Sequence, residues 1–190
     1  MKAEDKIFTA FSNLKERKLY YNQIKEYTQL SHSSLQNALD KLKKSKILEE
    51  EKTKSNKYYN IKDKKRASLK FSEIAIKKFE SLDYNIKTPL NNFLKNINEE
   101  TYSIILFGSV SRGEHSKDSD IDLLIISNHK QDLSKNKEEA EITSILPISI
   151  FQATISQFKK NEDDVIVQAK KTGFPIYKEQ NFYEVILNES

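Results

Sequence analysis

The 190-residue chain contains no cysteine, and this absence removes two structural options. Without cysteine there are no disulfide bonds, and no metal site can be made from thiolates. The chain also lacks an apolar segment as long as a membrane-spanning helix requires, and no internal repeat or low-complexity tract is present. Its first eight residues, MKAEDKIF, do not have the form of a signal peptide. These absences favour a protein of the reducing cytoplasm with no membrane partner.

Acidic and basic residues are unevenly distributed along the chain, although its net charge is only +4. Residues 1–66 contain 17 Lys and Arg against 9 Asp and Glu, a net charge of +8, and residues 67–190 carry the balancing −4. A basic segment followed by an acidic remainder indicates different partners for the two parts. A polyanion is the natural partner of the basic part, and a solvated lysine-rich surface is the alternative.

The first third of the sequence predicts three helices followed by a hairpin. Apolar residues recur at helical spacing in segments 5–14, 21–30 and 31–42, and Ser31 is a favourable N-cap for the third helix. The polar segment 49–61 predicts two strands joined by a turn. Three helices and such a hairpin make a winged helix-turn-helix, which we assign to residues 1–64.

In a winged helix-turn-helix, the third helix enters the major groove of double-stranded DNA. Glutamine and asparagine can bind adenine edges, and lysine can contact phosphates. Three consecutive acidic residues at 49–51 would repel phosphates, so a protein-contact or homodimer surface is the alternative for this domain. The residues expected to contact DNA lie on the third helix and the wing: Ser33, Ser34, Gln36, Asn37, Lys41 and Lys54.

Two amphipathic helices are predicted next, at residues 67–82 and 85–97, with Pro89 near the start of the second. They define a helical linker at residues 65–99, which could bridge two domains or pair two chains. The remaining residues, 100–190, are assigned to a second domain, in which residues 155–171 are predicted to form a helix.

The segment GSVSRGEHSKDSDID, from Gly108 to Asp122, is the most informative part of the chain. Apolar runs on both sides of it predict a strand, a Gly-Ser turn, a connector and a second strand. Since side chains alternate along a strand, Asp120 and Asp122 project from one face, with Cα atoms roughly 7 Å apart. Two carboxylates at this spacing suit Mg²⁺ (or Mn²⁺), which also takes phosphate oxygens and water. Gly108 and Ser109 would let phosphates approach the main chain.

These residues resemble the signature of the polymerase-β-type nucleotidyltransferase superfamily, in particular its minimal nucleotidyltransferases. The shared pattern is a Gly-Ser pair, ten residues and an Asp-x-Asp, with an Arg-Gly and a Ser between: Gly108, Ser109, Arg112, Gly113, Ser119, Asp120 and Asp122. The resemblance implies an α+β domain in which a mixed sheet is flanked by helices. It also implies that the Gly-Ser pair, the arginine and the second serine bind a nucleoside triphosphate. The two aspartates would bind the metal and carry catalysis.

The reaction implied by the resemblance is Mg²⁺-dependent transfer of a nucleoside monophosphate, with AMP favoured, to a hydroxyl of a protein, an RNA or a small molecule. Some minimal nucleotidyltransferases act as antitoxins toward a HEPN toxin, so a protein partner of that kind is a further expectation. The alternative is a DNA-binding regulator or antitoxin whose degenerate transferase domain only binds nucleotide or dimerises.

One part of the family pattern is missing. Active members place a third acidic residue on the next core strand, which we predict at residues 145–153, ILPISIFQA. This segment contains no Asp or Glu, and Ser149 is the residue nearest the third position. Glu139 and Glu141 lie upstream and could approach from the sheet edge. Loss of a carboxylate weakens the case for a two-metal mechanism, and it leaves open whether the domain is an enzyme.

Overall fold

The computed structural model describes residues 2–14 and 16–189 and divides the chain into two compact units. The first unit ends at Ile74, and the second comprises Ala75–Glu189. The boundary lies within a helix, so the residues that the sequence predicts as a linker, 65–99, are divided between the two units.

The first unit combines helices with a small antiparallel sheet. Its elements in chain order are α1 (Ala3–Leu14), β1 (Lys18–Tyr20), α2 (Tyr21–Thr28), α3 (His32–Lys44), β2 (Leu48–Lys52), β3 (Lys57–Ile61) and the first part of α4 (Lys64–Glu80). The strand order is β1-β3-β2, with both pairs antiparallel. The sequence predicts the hairpin of β2 and β3 but misses β1, because three residues are too few to show alternation.

Helix α3 begins at the predicted residue and buries the predicted face. Its N-cap Ser31 accepts a hydrogen bond from the backbone N–H of Ser34 at 3.3 Å. Leu35 and Leu39 are fully buried in the core of the first unit. Complete burial of a leucine contributes roughly 1.5–3 kcal/mol, so this apolar face holds α3 in place and leaves its polar face toward solvent.

The second unit is organised around a four-stranded mixed sheet. Its further elements are α5 (Tyr84–Leu94), β4 (Ser103–Phe107), α6 (Gly108–Arg112), β5 (Ile121–Ser127), α7 (Ser134–Glu141), β6 (Ile148–Thr154), α8 (Ile155–Lys160), α9 (Asp164–Thr172), β7 (Phe174–Tyr177) and α10 (Glu179–Asn188). The strand order is β6-β5-β4-β7, and only β5 and β6 pair in parallel. A mixed sheet with accompanying helices confirms the α+β class predicted for this part of the chain.

The two central strands are the most deeply buried part of the second unit. Every residue of β4 is buried. Every residue of β5 is buried except Asp122, which is partly exposed. Continuous apolar strands of this kind need cover on both faces, so the one partly exposed carboxylate marks where the sheet opens to solvent. No helix in the described residues is long and apolar enough to cross a membrane.

Several local boundaries differ from those that the sequence predicts. The Gly-Ser turn is the start of a short helix, α6, and Pro89 lies inside α5 and not at its opening. The single helix predicted at residues 155–171 is two helices: α8 ends at Asn161, whose φ is 56°, and Asp163 caps α9 by accepting from the N–H of Val165 at 2.7 Å. These boundaries depend on local capping rather than on apolar periodicity.

Candidate functional site

The end of β4 brings the Gly-Ser pair beside the second aspartate. Phe107, the last residue of β4, pairs with Asp122 of β5. Gly108 follows with a φ of 73°, and a Cβ atom placed on it would lie 2.1 Å from the Oδ2 of Asp122. The main chain of Gly108 and the Asp122 carboxylate are therefore in direct contact. Any other side chain at this position would be strained by the positive φ and would have to displace the carboxylate.

Asp120 immediately precedes β5, Asp122 is the second residue of that strand, and both are half-buried. Burial raises the pKa of the Asp122 carboxyl, and the nearby charge of Asp120 raises it further. Two like charges in a partly desolvated position oppose each other's ionisation. A bound divalent cation would relieve this repulsion.

The hydroxyl of Ser149, on the neighbouring strand, contacts the acidic pair. It lies opposite Asp122 in the parallel register of β5 and β6, and its hydroxyl donates a hydrogen bond to the Oδ2 of Asp120 at 2.8 Å. Ser149 is therefore the β6 side chain that contacts the acidic pair, and its equivalence to the third carboxylate of the family stays a prediction. Serine contributes a hydroxyl group here but no charge.

Glu139 and Glu141, which lie upstream of β6, make other contacts. Glu141 accepts from the backbone N–H of Ile148 at 3.3 Å and lies 3.6 Å from Lys137. Glu139 accepts from Asn96 at 3.0 Å. Among the residues that the structure describes, no group of three or more His, Cys, Asp or Glu comes together as candidate metal ligands.

The donor set at the site fits one Mg²⁺ or Mn²⁺ ion. Mg²⁺ is commonly held by one or two carboxylates, with water and substrate phosphates completing its coordination, and Asp120 and Asp122 supply that number. Because the hydroxyl of Ser149 adds no charge, the site favours one metal ion over two.

Helix α6 is held in place by a serine that the sequence did not single out. The buried Ser111 donates to the carbonyl of Gly108 at 2.8 Å and lies 3.2 Å from the carbonyl of Thr172, at the end of α9. This anchors the start of α6, where backbone N–H groups have no partner within the helix and favour anions. The half-buried Ser109 lies in this first turn.

Arg112 and Ser119 both shape the connector between α6 and β5. The Arg112 guanidinium donates to the Gly108 carbonyl at 3.0 Å and to Glu114 at 2.6 Å. The Ser119 hydroxyl accepts from the backbone N–H of Ser116 at 2.9 Å. These bonds give each side chain a structural role, and the nucleotide contact predicted for both stays a prediction.

Two aromatic rings border the site on the sheet face that carries Asp122. Phe107 lies opposite Asp122, and Phe151 lies two residues beyond Ser149, so both side chains are on this face. Their ring centroids are 5.6 Å apart at an interplanar angle of 60°. Phe107 is 3% exposed and Phe151 is 37% exposed. The sequence gives no sign of this pair, because it depends on the register of three strands.

The residues predicted to contact DNA lie on α3 and on the β2–β3 turn of the first unit. Asn37, Lys41 and Lys54 are exposed, although Lys41 lies 3.6 Å from Glu4. Ser33 and Ser34 lie in the first turn of α3, beside the capping Ser31. The Ser33 hydroxyl is 3.3 Å from the Ser31 hydroxyl, and the backbone N–H of Ser34 donates to the Ser31 hydroxyl.

Acidic side chains lie among these candidate contacts. Gln36 donates to Asp40 at 3.1 Å, so its amide is already partly engaged. Lys43 pairs with Glu50 at 2.5 Å and with Asp40 at 2.9 Å, and these bonds raise the pKa of the Lys43 amine. Lys43 therefore joins α3 to β2, and it is less available to phosphates than the exposed lysines.

Part of the chain matches the model of a known protein family. Residues 87–175, just under half of the chain, match the family model of the nucleotidyltransferase domain. The match supports a polymerase-β-type domain, a general function in nucleotidyl transfer and a nucleoside triphosphate as substrate. Comparisons with curated proteins and with solved structures gave no match.

Proposed function

We propose that the nucleotidyltransferase domain transfers a nucleoside monophosphate, with AMP favoured, from a triphosphate to a hydroxyl group, with the help of Mg²⁺ or Mn²⁺. The acceptor hydroxyl would belong to a protein, an RNA or a small molecule. The observation that supports the proposal most directly is the contact between Gly108 and Asp122. A phosphate bound at the Gly-Ser pair would therefore lie beside the acidic pair.

The residues of the chain would act mainly by positioning the reactants. The triphosphate would lie against the start of α6, with Ser109 donating to phosphate oxygens, while Asp120 and Asp122 hold the metal. Metal bound there would neutralise charge on the phosphates. The acceptor oxygen forms a bond to the α-phosphorus, the bond from that phosphorus to the bridging oxygen breaks, and pyrophosphate leaves. The proton of the acceptor hydroxyl passes to solvent water. Ser149 would orient the Asp120 carboxylate, since a neutral hydroxyl is a poor base.

The test is binding and turnover in the presence and absence of Mg²⁺. We expect the full chain to bind ATP by calorimetry only when Mg²⁺ or Mn²⁺ is present, and to release pyrophosphate when a suitable acceptor is supplied. The double variant Asp120→Asn, Asp122→Asn should lose metal-linked binding. Normal binding of Mg²⁺-ATP by this variant would show that the site is misassigned.

A second candidate function is supported by the serine at the third position. Without that carboxylate the domain would bind Mg²⁺-ATP and respond to it without turnover, as part of a regulator or an antitoxin. The variant Ser149→Asp distinguishes the two candidates. Pyrophosphate release by the wild-type chain supports the enzyme. Release that begins only in Ser149→Asp supports the sensor, with Ser149→Ala as the uncharged control.

We further propose that the first unit is a winged helix-turn-helix that binds double-stranded DNA. The capped helix α3, the hairpin of β2 and β3 and the exposed lysines Lys41 and Lys54 support this assignment. The pairs that engage Lys43 and Gln36 with acidic neighbours support the alternative, in which this surface contacts a protein such as a HEPN toxin or a second copy of the chain.

A further inference from the structure

Phe151 is an exposed aromatic side chain at the edge of the candidate site. We propose that its ring is a stacking platform for the base of the donor nucleotide, an inference that rests on the proposed function. No base contact follows from the Gly-Ser pair or from the two aspartates, because these residues are suited to phosphate and metal.

The position of Phe151 follows from strand register. It lies on β6 opposite Leu124, two residues beyond Ser149, and therefore on the face that carries Ser149 and Asp122. Two residues along a strand correspond to roughly 7 Å. This separation is comparable to the distance between the α-phosphate and the base of a nucleotide, so one bound molecule can reach both places.

The ring also packs against a buried neighbour on a paired strand. Phe107, which is 3% exposed, packs against it with a centroid separation of 5.6 Å, and β6 is hydrogen-bonded to β5 along its length. Phe107 thus contacts the ring at a tilted angle, while 37% of the Phe151 residue stays open to solvent. A preorganised aromatic ring loses little entropy when a planar group binds.

The chemistry of the ring selects the base among the parts of a nucleoside triphosphate. The phosphates and the ribose are polar, whereas the base has an apolar π-face that stacks on aromatic side chains. A phenyl ring offers no hydrogen bonds to base edges, so the platform would accept purines and pyrimidines with little discrimination.

The test compares two probes on the full chain: the non-hydrolysable analogue α,β-methylene-ATP and inorganic tripolyphosphate, each with Mg²⁺. In Phe151→Ala we expect the Kd for the analogue to rise about five-fold to a hundred-fold, the usual range for loss of base stacking. The Kd for tripolyphosphate, which has no base, should change by less than about two-fold, the scatter of such measurements.

Three further variants separate stacking from simple packing. Phe151→Tyr keeps the ring and should bind the analogue like the wild type. Phe151→Leu keeps an apolar side chain without a ring, should weaken analogue binding as alanine does, and serves as the main variant if Phe151→Ala does not fold. Tyr84→Ala removes another exposed aromatic of the second unit, 77% exposed, and should change neither Kd.

Two outcomes would overturn the inference while leaving the proposed function intact. In the first, Phe151→Ala weakens both probes equally, so that the ring does not act through the base. In the second, Phe151→Leu binds the analogue as tightly as the wild type, so that no aromatic face is needed. If the wild type binds neither probe with Mg²⁺, the proposed function fails, and the stacking platform fails with it.

Discussion

At the scale of single residues, Asp122 carries a stability cost that its candidate function explains. Burial and the neighbouring Asp120 both raise the pKa of its carboxyl above the usual 3.8. Between the usual pKa of this carboxyl in the unfolded chain and its higher pKa in the folded protein, the folded state binds more protons than the unfolded state. The contribution of Asp122 to stability therefore falls as pH rises through that window. At neutral pH the charged carboxylate destabilises the metal-free fold.

Asp122→Asn should remove this cost and the metal ligand together. We expect its Tm at pH 7 to exceed that of the wild type by on the order of 2 °C, with a smaller decline in stability between pH 4 and pH 7. Mg²⁺-dependent ATP binding should be lost. Thermal unfolding across this pH range and calorimetry of nucleotide binding measure the two effects.

The control for this variant is Asp132→Asn, for which the expected change in Tm has the opposite sign. Hydrogen bonds from the Ser134 side chain and backbone lower the pKa of the Asp132 carboxyl. Its contribution is therefore present above the usual pKa and is lost as pH falls, so Asp132→Asn should lower the Tm at pH 7. A lower Tm for Asp122→Asn as well would contradict the assignment of repulsion at the site.

Two glycines with nearly equal backbone conformations allow a matched comparison. Gly108 and Gly113 have φ values of 73° and 72°, but a Cβ on Gly108 would meet Asp122 at 2.1 Å, whereas one on Gly113 would meet nothing within 4 Å. Gly113→Ala should cost about 1 kcal/mol of unfolding free energy from the left-handed conformation alone. Gly108→Ala should cost roughly 1–3 kcal/mol more from overpacking.

Chemical denaturation of both variants measures these costs, and calorimetry measures their effect on nucleotide binding. Gly108→Ala should also weaken Mg²⁺-ATP binding, because the Asp122 carboxylate must move away from the new methyl group. Gly113→Ala should bind normally. Equal effects of the two variants on stability and on binding would mean that the contact with Asp122 does not matter.

At the scale of elements, the surface of α3 and the hairpin combines basic side chains with acidic ones. Lys43 and Glu50 join α3 to β2, and the side chain of Glu50 is only 12% exposed. Replacing Lys43 would leave a largely buried carboxylate without its main partner, which is costly. A loss of DNA binding on changing Lys43 would therefore reflect stability as much as contact.

Lys41 and Lys54 are the better probes of DNA binding, since their exposure separates contact from folding. The double variant Lys41→Ala, Lys54→Ala should weaken duplex binding and reduce the slope of log K against log salt by about 2, one for each lost phosphate contact. Fluorescence anisotropy at several salt concentrations measures this slope.

The control for the lysine variant is Lys159→Ala, Lys160→Ala in the second unit, which removes the same net charge. It should leave the slope nearly unchanged. If neither double variant changes the affinity for duplex DNA, the result contradicts DNA binding by α3 and the hairpin and favours a protein partner for this surface.

At the scale of the whole molecule, the division into two units predicts separable stability. Leu39 is fully buried in the first unit, and Leu39→Ala should destabilise that unit by about 2–5 kcal/mol through the lost apolar contacts and the cavity left behind. Nucleotide binding by the second unit should persist. Hydrogen exchange read per segment, together with calorimetry, checks both statements, and loss of binding at a temperature where the second unit stays protected would contradict them.

Local pattern determined a large part of this protein. Apolar periodicity gave the helices of the first unit, and the apolar strands around Gly108 and Asp122 gave the central sheet, because both patterns arise from neighbouring residues. The spacing of Asp120 and Asp122 was enough to predict a shared face. Short or capped elements such as β1 and the break between α8 and α9 were missed, since a few residues carry little periodic signal.

The sequence pointed to the next core strand and to Ser149, but only the tertiary structure decided the register of that strand and the contacts of its side chains. The parallel pairing of β5 with β6 allows the Ser149 hydroxyl to donate a hydrogen bond to Asp120, and it brings the Phe151 ring into contact with that of Phe107. The physical reason is that cross-strand register is fixed by packing and by connections distant in sequence, and a shift of one residue would turn each side chain to the opposite face. The sequence therefore predicted the acidic pair and the serine nearest to it. The hydrogen bond of that serine and the contact between the two phenylalanines were determined by the assembled sheet.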